Sequence, residues 1–522
     1  MSNRRNVFNQ GQRQALFIGA GAFFTGLLLL AMLSIVLLIV TRGGGYFWPQ
    51  DVHRVSFLSS IDDQPKTVYA QIQSKYVQDG QPMRWLQLSD AQSPYGRQIL
   101  LESNRTLSLK SAPEAARIAL NDGRVVLAEP VSVESPESTS TGISQIDAVR
   151  EKVARIDARI TAIRDESLSD IHLQLTELDK RNVSKSAPAR KKLNSAFNRW
   201  HSQVLELERE RDSYRLNLRL AQGDEISVPL MDVHSLEHTG QLSALAKVGV
   251  ALNRVGRFLT ESPKQANTAG GVFPALFGTV LMVFLMTIIV TPFGVLAAVY
   301  LNEYAPDNAM TSIIRICVSN MAGVPSIVYG VFGLGFFIYG VGGSLDKLFF
   351  EQSLPAPTMG TPGVFWASLT MAILTLPVVI VATEEGLRNV PQGLKAGSYA
   401  LGATKAETVW HTILPMASPG IMTGVILAIA RAAGEVAPLM LVGAVKFAPN
   451  LPVDGEFPYL HLERQFMHLG VLIYDGAFHS QTDAKSASMM FAACLLLLVV
   501  VFILNILAVL LRARLRRRYE RR

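Results

Sequence analysis

Residues 394–404, Leu394-Lys395-Ala396-Gly397-Ser398-Tyr399-Ala400-Leu401-Gly402-Ala403-Thr404, are followed by Ile413-Leu414-Pro415. The stretch is polar, basic and rich in small residues, which predicts helix, turn, helix. Gly402 is placed to end the first helix in a left-handed conformation, and the small side chains before it let another chain approach closely. On either side lie apolar runs, near 363 to 383 and 417 to 445, each long enough for a helix to cross a hydrocarbon core. The hairpin is therefore read as a loop, about 384 to 415, joining two membrane spans.

Working outward, further apolar runs occur near 16 to 40, 272 to 300, 316 to 340 and 487 to 511, which makes six spans. In a chain of 522 residues, 49% hydrophobic and 17% charged, both a membrane part and a wet part are expected, and an ordinary soluble protein is excluded. The first run is too long for the core of a signal peptide and no small-residue cleavage site follows it, so it is expected to remain as an anchor. Arg4, Arg5 and Arg13 precede it, while Arg388, Lys395 and Lys405 lie between the fourth and fifth spans. After the last span come Arg512, Arg514, Arg516, Arg517, Arg518, Arg521 and Arg522. By the positive-inside rule both termini and the 384–415 loop are expected in the cytoplasm. The basic tail at 512–522 accounts for much of the net charge of +7 and attracts anionic lipid, with nucleic acid a poor second reading.

That topology leaves residues 41–268 outside as a domain of their own. Thr67–Ile72, Arg84–Leu88, Arg124–Ala128 and Tyr214–Leu220 alternate apolar and polar residues as half-buried strands do. Between them, about 143 to 212, lie two helical stripes. Ile146, Val149, Val153, Ile156, Ile160 and Ile163 recur at steps of three and four, then after a one-residue skip Leu168, Ile171, Leu175 and Leu178 continue. Leu193, Phe197, Trp200, Val204 and Leu207 form the return arm, after a turn at Ser184-Lys185-Ser186-Ala187-Pro188. An antiparallel hairpin inserted into a β-rich domain is expected, its stripes packing on each other. Residues 242–259 set Leu242, Leu245, Val248, Leu252, Val255 and Leu259 on one face, with Lys247, Arg254 and Arg257 elsewhere. This fits a helix on the outer membrane surface or a last helix of the domain, and the residues do not separate the two. Cys317 and Cys494 fall at opposite depths and are not expected to pair.

Within the fifth span, Ile429-Ala430-Arg431-Ala432-Ala433-Gly434-Glu435-Val436-Ala437-Pro438 sets Arg431 and Glu435 four residues apart, hence on one helix face. Charges at that depth line a substrate path or pair with each other. A guanidinium fork suits a tetrahedral oxyanion. A carboxylate accepts a hydrogen bond from a protonated phosphate oxygen but repels sulfate, which carries no such donor.

The 394–415 stretch resembles the loop of ABC importer permeases that reads Glu-Ala-Ala, three residues, Gly, nine residues, Ile, one residue, Leu-Pro. Gly402, Leu414 and Pro415 match at that spacing, whereas Ala396, Gly397 and Ser398 stand where Glu-Ala-Ala is usual and Thr412 stands at the Ile position. With Gly323-Val324-Pro325-Ser326-Ile327-Val328-Tyr329-Gly330 and the Arg431–Pro438 segment, the match narrows to phosphate-specific permeases of the PstA and PstC type. The Tyr399–Gly402 and Ala430–Leu439 wording is similar to PstA. The resemblance covers about 270 to 511 and, by position, the first span, and Val381 stands where a basic residue is expected in relatives.

The resemblance implies an all-α permease fold of six transmembrane helices carrying a β-rich extracytoplasmic addition. It puts Arg431 and Glu435 on the phosphate path, with Pro325 and Ser326 as lesser candidates. Gly402, Leu414, Pro415, Ala396, Gly397, Ser398, Arg388, Lys395 and Lys405 would dock on an ATPase, and Glu384 and Glu385 would face that surface. The chain has no Gly-x-x-x-x-Gly-Lys-Ser/Thr loop, so ATP and magnesium are expected on a separate ATPase dimer of the PstB type. No catalytic residue, metal ligand or bound cofactor is expected on this chain. A second permease of the PstC type and a phosphate-binding protein of the PstS type complete the expected complex in the bacterial cytoplasmic membrane. The competing readings are a permease for another oxyanion such as sulfate or molybdate, and a membrane-anchored sensor or scaffold.

Overall fold

The computed structural model of the chain describes residues 10–59, 64–78, 81–89, 98–102, 105–136, 139–140, 146–181, 183–184, 187–264, 269–351, 355–455, 457–479 and 484–520. Arg4, Arg5, Lys185, Ser186, Arg521 and Arg522 lie outside them. The chain divides into two units, one made of residues 1–47 with 254–522 and the other of residues 48–253.

In the second unit, alternation of apolar and polar residues produces antiparallel ladders. Strands β1 (Val52–Leu58), β2 (Pro65–Gln78), β3 (Gln81–Leu88), β4 (Gln98–Glu102) and β5 (Thr106–Ser111) form one sheet in the order β4-β3-β2-β1-β5. Their inward side chains, among them Val55, Phe57, Leu86, Leu88 and Leu101, build its core. A second sheet joins β6 (Ala116–Leu120), β7 (Val125–Glu134), β8 (Thr139–Ser140), β9 (Arg215–Arg219), β10 (Glu225–Pro229) and β11 (Val233–Glu237). Its order is β10-β9-β7-β6-β11, with β8 on β7. The helical arms leave and re-enter this sheet between β8 and β9. One arm runs from Ile146 to Lys180 and the other from Pro188 to Asp212, with the proline in the first turn where its missing N–H costs nothing. The one-residue skip in the apolar stripe has a physical counterpart. Residues Ile163–Leu168 form a π-helical turn, whose extra residue per turn returns Leu168 and Ile171 to the inner face. Ile160, Ile163 and Val204 are buried there beside Trp200 and Leu207.

The first unit holds six helices long and apolar enough to cross a membrane: Phe17–Phe47, Phe273–Tyr304, Ser326–Phe349, Val364–Arg388, Lys405–Gly434 and Ser488–Leu510. The fourth is the most enclosed and packs on the second and fifth. Several span limits differ from those the sequence suggests: the fifth starts at Lys405, inside the loop expected at 384–415, and the third runs on to Phe349. The first span continues to Phe47 instead of stopping near Thr41, because its glycines permit contact and do not end the helix: a Cβ on Gly43 would stand 2.7 Å from the Phe491 carbonyl oxygen on the sixth span. The third span begins at Ser326; residues Ala309–Met321 form a separate helix before it, capped by the Asn308 side chain, which accepts from Thr311 N–H at 2.9 Å. The fifth ends at Gly434, well short of 445. Cys317 and Cys494 are free thiols.

Candidate functional site

The early end of the fifth span creates the site. Helix Leu414–Gly434 stops where Glu435 adopts an extended conformation, φ −78° and ψ 136°. A short helix, Ala437–Val442, then starts afresh with Pro438 in its first turn. Arg431 and Glu435 are thus not neighbours on a continuous helix face. They meet across a helix terminus, Arg431 Nε standing 3.5 Å from Glu435 Oε1, with side chains 32% and 23% exposed. Among the described residues the Arg431 guanidinium makes no hydrogen bond, so its donors are open to a ligand. The physical reason for the break is local: Gly434 and Pro438 both disfavour a continuing helix, and the proline lacks the N–H that would bond back to the previous turn.

The two segments singled out by sequence come together here. Gly330 sits so close to Pro438 that a Cβ would be 2.7 Å from the Pro438 Cα, and the third span's first turns pack on Ala437–Val442 through this gap. Tyr329, on the turn before, is buried, lies within electrostatic reach of Arg431 and donates from its hydroxyl to the Met321 carbonyl oxygen at 2.8 Å. Pro325 is the N-cap of the third span, so it sets the entry of the chain into the helix and does not kink it. Ser326 is half-buried at the first helical position, and its hydroxyl has no hydrogen-bond partner among the described residues. Tyr329 and the Gly330–Pro438 contact are not legible in the sequence: the Pro-Ser-Ile-Val-Tyr-Gly segment stands out there, but only the fold pairs it with Pro438.

The polar hairpin is built by two local devices. Helix Gln392–Ala400 closes at Gly402, φ 86°, with Gly402 N–H bonded to Tyr399 O at 3.0 Å and Ala403 N–H to Ser398 O at 3.2 Å, the paired bonds of a Schellman motif. The next helix opens with a capping box: Thr404 Oγ1 accepts from Glu407 N–H, and Glu407 Oε2 accepts from Thr404 N–H at 2.8 Å. A Thr-x-x-Glu spacing announces that box in the sequence. Ile413 is buried, and Leu414 and Pro415 open the rest of the fifth span. Helix Gln392–Ala400 buries none of its residues; Ala396 and Gly397 are exposed, as are Leu394, Tyr399 and Leu401, while the half-buried Ser398 bonds through its hydroxyl to that of Thr408 at 2.9 Å.

The basic residues of the loop divide their tasks. Arg388 is exposed and 4.0 Å from Glu384. Lys405 is exposed and stands 5.0 Å from the centre of the Tyr304 ring. Lys395 turns inward: its ammonium lies 2.6 Å from Glu303 Oε1, with the two side chains only 12% and 8% exposed. Glu384 also faces inward, 3.6 Å from Arg315 Nε, while Arg315 donates to the Leu301 carbonyl oxygen at 2.7 Å. Where the family pattern has a loop glutamate this chain has Ala396, and the carboxylate that meets the loop comes instead from Glu303 at the end of the second span. Glu303→Gln is expected to lower stability by about 3 kcal/mol, the scale for orphaning one member of a buried ion pair. Thermal unfolding of the purified chain reads this, and the exchanged pair Glu303→Lys with Lys395→Glu should recover part of the loss.

Six apolar helices, a fifth span interrupted beside an arginine, and an exposed polar hairpin define a multi-pass membrane transport permease. A family profile described as "Binding-protein-dependent transport system inner membrane component" matches residues 290–517. The chain is 34% identical over 246 residues to "Phosphate transport system permease protein PstA 1" of Mycobacterium tuberculosis (strain ATCC 25618 / H37Rv), covering 47% of this chain and 70% of that protein. It is 32% identical over 250 residues to "Phosphate transport system permease protein PstA" of Yersinia pestis, covering 48% of this chain and 75% of that one. The solved structure "Inward facing conformations of the MetNI methionine ABC transporter: CY5 native crystal form" is similar over 47% of this chain and 94% of its own, at 19% identity and TM-score 0.33, too loose a superposition for geometric comparison. The chain belongs to the PstA permease family. The matched profile leaves out the β-rich unit 48–253.

Proposed function

We propose that this chain is a permease subunit of an ATP-driven importer that carries inorganic phosphate across the bacterial cytoplasmic membrane by alternating access. The observation that carries the reading is Arg431, held at a helix break with its guanidinium donors unused among the described residues and a carboxylate only 3.5 Å away. A fork of donors matches a tetrahedral oxyanion, and family membership supplies the same cargo from the names of the relatives. Ser326, with its hydroxyl unengaged, and Pro325, which orients the turn, complete the path.

In this reading both termini and the 384–415 hairpin face the cytoplasm and residues 48–253 lie in the periplasm. The exposed Leu394, Tyr399 and Leu401 beside Gly402 form an apolar surface for a separate ATPase dimer of the PstB type, which binds ATP and magnesium, so this chain hydrolyses nothing itself. Arg388 and Lys405 edge that surface, while Lys395 braces it from within. A PstC-type permease completes the pore and a PstS-type protein delivers the cargo.

Glu435 is assigned the discrimination between oxyanions. Its carboxylate accepts a hydrogen bond from the protonated oxygen of hydrogen phosphate and repels the unprotonated sulfate. Glu435→Gln is expected to make sulfate inhibit phosphate uptake about tenfold more strongly, the scale of one charge-assisted hydrogen bond. Competition assays in reconstituted vesicles measure it, and a variant that excludes sulfate as well as the parent removes Glu435 from this role.

A further inference from the structure

The helix Ala244–Thr260 presents the wrong face to water. Leu245 is 86% and Leu252 66% exposed, and Val248 is exposed with them. With Gly249, Val255, Gly256 and Leu259 they line one side of the helix at steps of three and four, a strip with no hydrogen-bonding side chain. The opposite side carries Lys247, Arg254 and Arg257. Its charges are the enclosed ones: Lys247 Nζ lies 2.7 and 3.0 Å from the two carboxylate oxygens of Asp51, and the Nε atoms of Arg254 and Arg257 are shielded from solvent. A helix of a water-soluble domain has the reverse arrangement.

The C-terminal end of this helix is fixed at the level of two spans. Phe258 is buried, its ring 5.8 Å from Tyr46 and 5.2 Å from Phe47 at the end of the first span. Val272 N–H donates to the Phe258 carbonyl oxygen at 2.8 Å and Phe273 N–H to that of Glu261 at 3.1 Å, which ties the same end to the start of the second span. Tyr46, at the end of the first span, is of the residue type that marks the membrane boundary.

We propose that Ala244–Thr260 lies in the headgroup boundary of the lipid bilayer, with Leu245, Val248 and Leu252 turned to the acyl chains. Its continuity with two span ends selects lipid over a protein partner. An amphipathic helix at that depth buries its apolar face some 5–10 Å into the boundary.

Nitroxide labels at Leu245→Cys, Val248→Cys and Leu252→Cys, each on the full chain with Cys317 and Cys494 replaced by alanine and set in nanodiscs, test this. All three positions are exposed, so the labels enter without displacing a core. The proposal predicts oxygen accessibility exceeding that of a water-soluble nickel chelate at all three. Dominant nickel accessibility would place the face in water and overturn it. Exclusion of both reagents would mean a protein covers the face and would equally overturn it.

Discussion

Arg431→Gln is expected to lower phosphate uptake by roughly tenfold to a hundredfold in the assembled transporter, because glutamine keeps the bulk but removes the charge-assisted fork, about 1.5–3 kcal/mol of interaction. Assembly should survive, since the guanidinium makes no hydrogen bond among the described residues and its single ion-pair contact is loose, at 3.5 Å. The comparison variant is a deletion of residues 50–262. A transporter working through Arg431 loses more from the point change than a scaffold would, whereas a sensor or scaffold working through its β-rich unit tolerates Arg431→Gln and fails on the deletion. Radiolabelled phosphate uptake by the two variants separates these outcomes.

Gly402→Val is expected to uncouple ATP hydrolysis from uptake. At φ 86° a β-branched side chain is strained, by about 1–2 kcal/mol, and the Schellman bonds that set the angle between the two arms loosen. No heavy atom lies within 4 Å of a Cβ at that position, so the damage is to backbone geometry and not to packing. The bundle should therefore fold, the ATPase should still turn over, and phosphate transported per ATP should fall severalfold. Unchanged uptake would remove this hairpin from the mechanism.

Long-range architecture and local chemistry were unequally legible in the sequence. Six spans, the strands at Thr67–Ile72 and Tyr214–Leu220 and the hairpin cap at Gly402 follow from hydrophobic length, alternation and backbone preference, all of which act within a few residues. Span ends were less legible. A glycine run such as Gly43-Gly44-Gly45 serves either to end a helix or to admit a neighbour, and only the sixth span's proximity decides. The Arg431 to Glu435 spacing suggested a shared helix face, but Gly434 and Pro438 break the helix between them and bring the pair together differently. Lys395 looked like a surface cation because its partner, Glu303, lies 92 residues away along the chain. The pairing of Gly330 with Pro438 was invisible for the same reason: the signal is close approach of two backbones from distant segments, which a single sequence does not display.

The central claim is that the broken fifth span conducts phosphate. Its most direct test is ATP-dependent accumulation of radiolabelled phosphate by proteoliposomes containing this chain, its partner permease and ATPase, with the binding protein supplied outside, in the presence of excess unlabelled phosphate, sulfate or molybdate. Phosphate accumulation that is abolished by unlabelled phosphate, untouched by the other two anions and lost with Arg431→Gln is the predicted result. Accumulation displaced as well by sulfate or molybdate, or indifferent to Arg431, would contradict it.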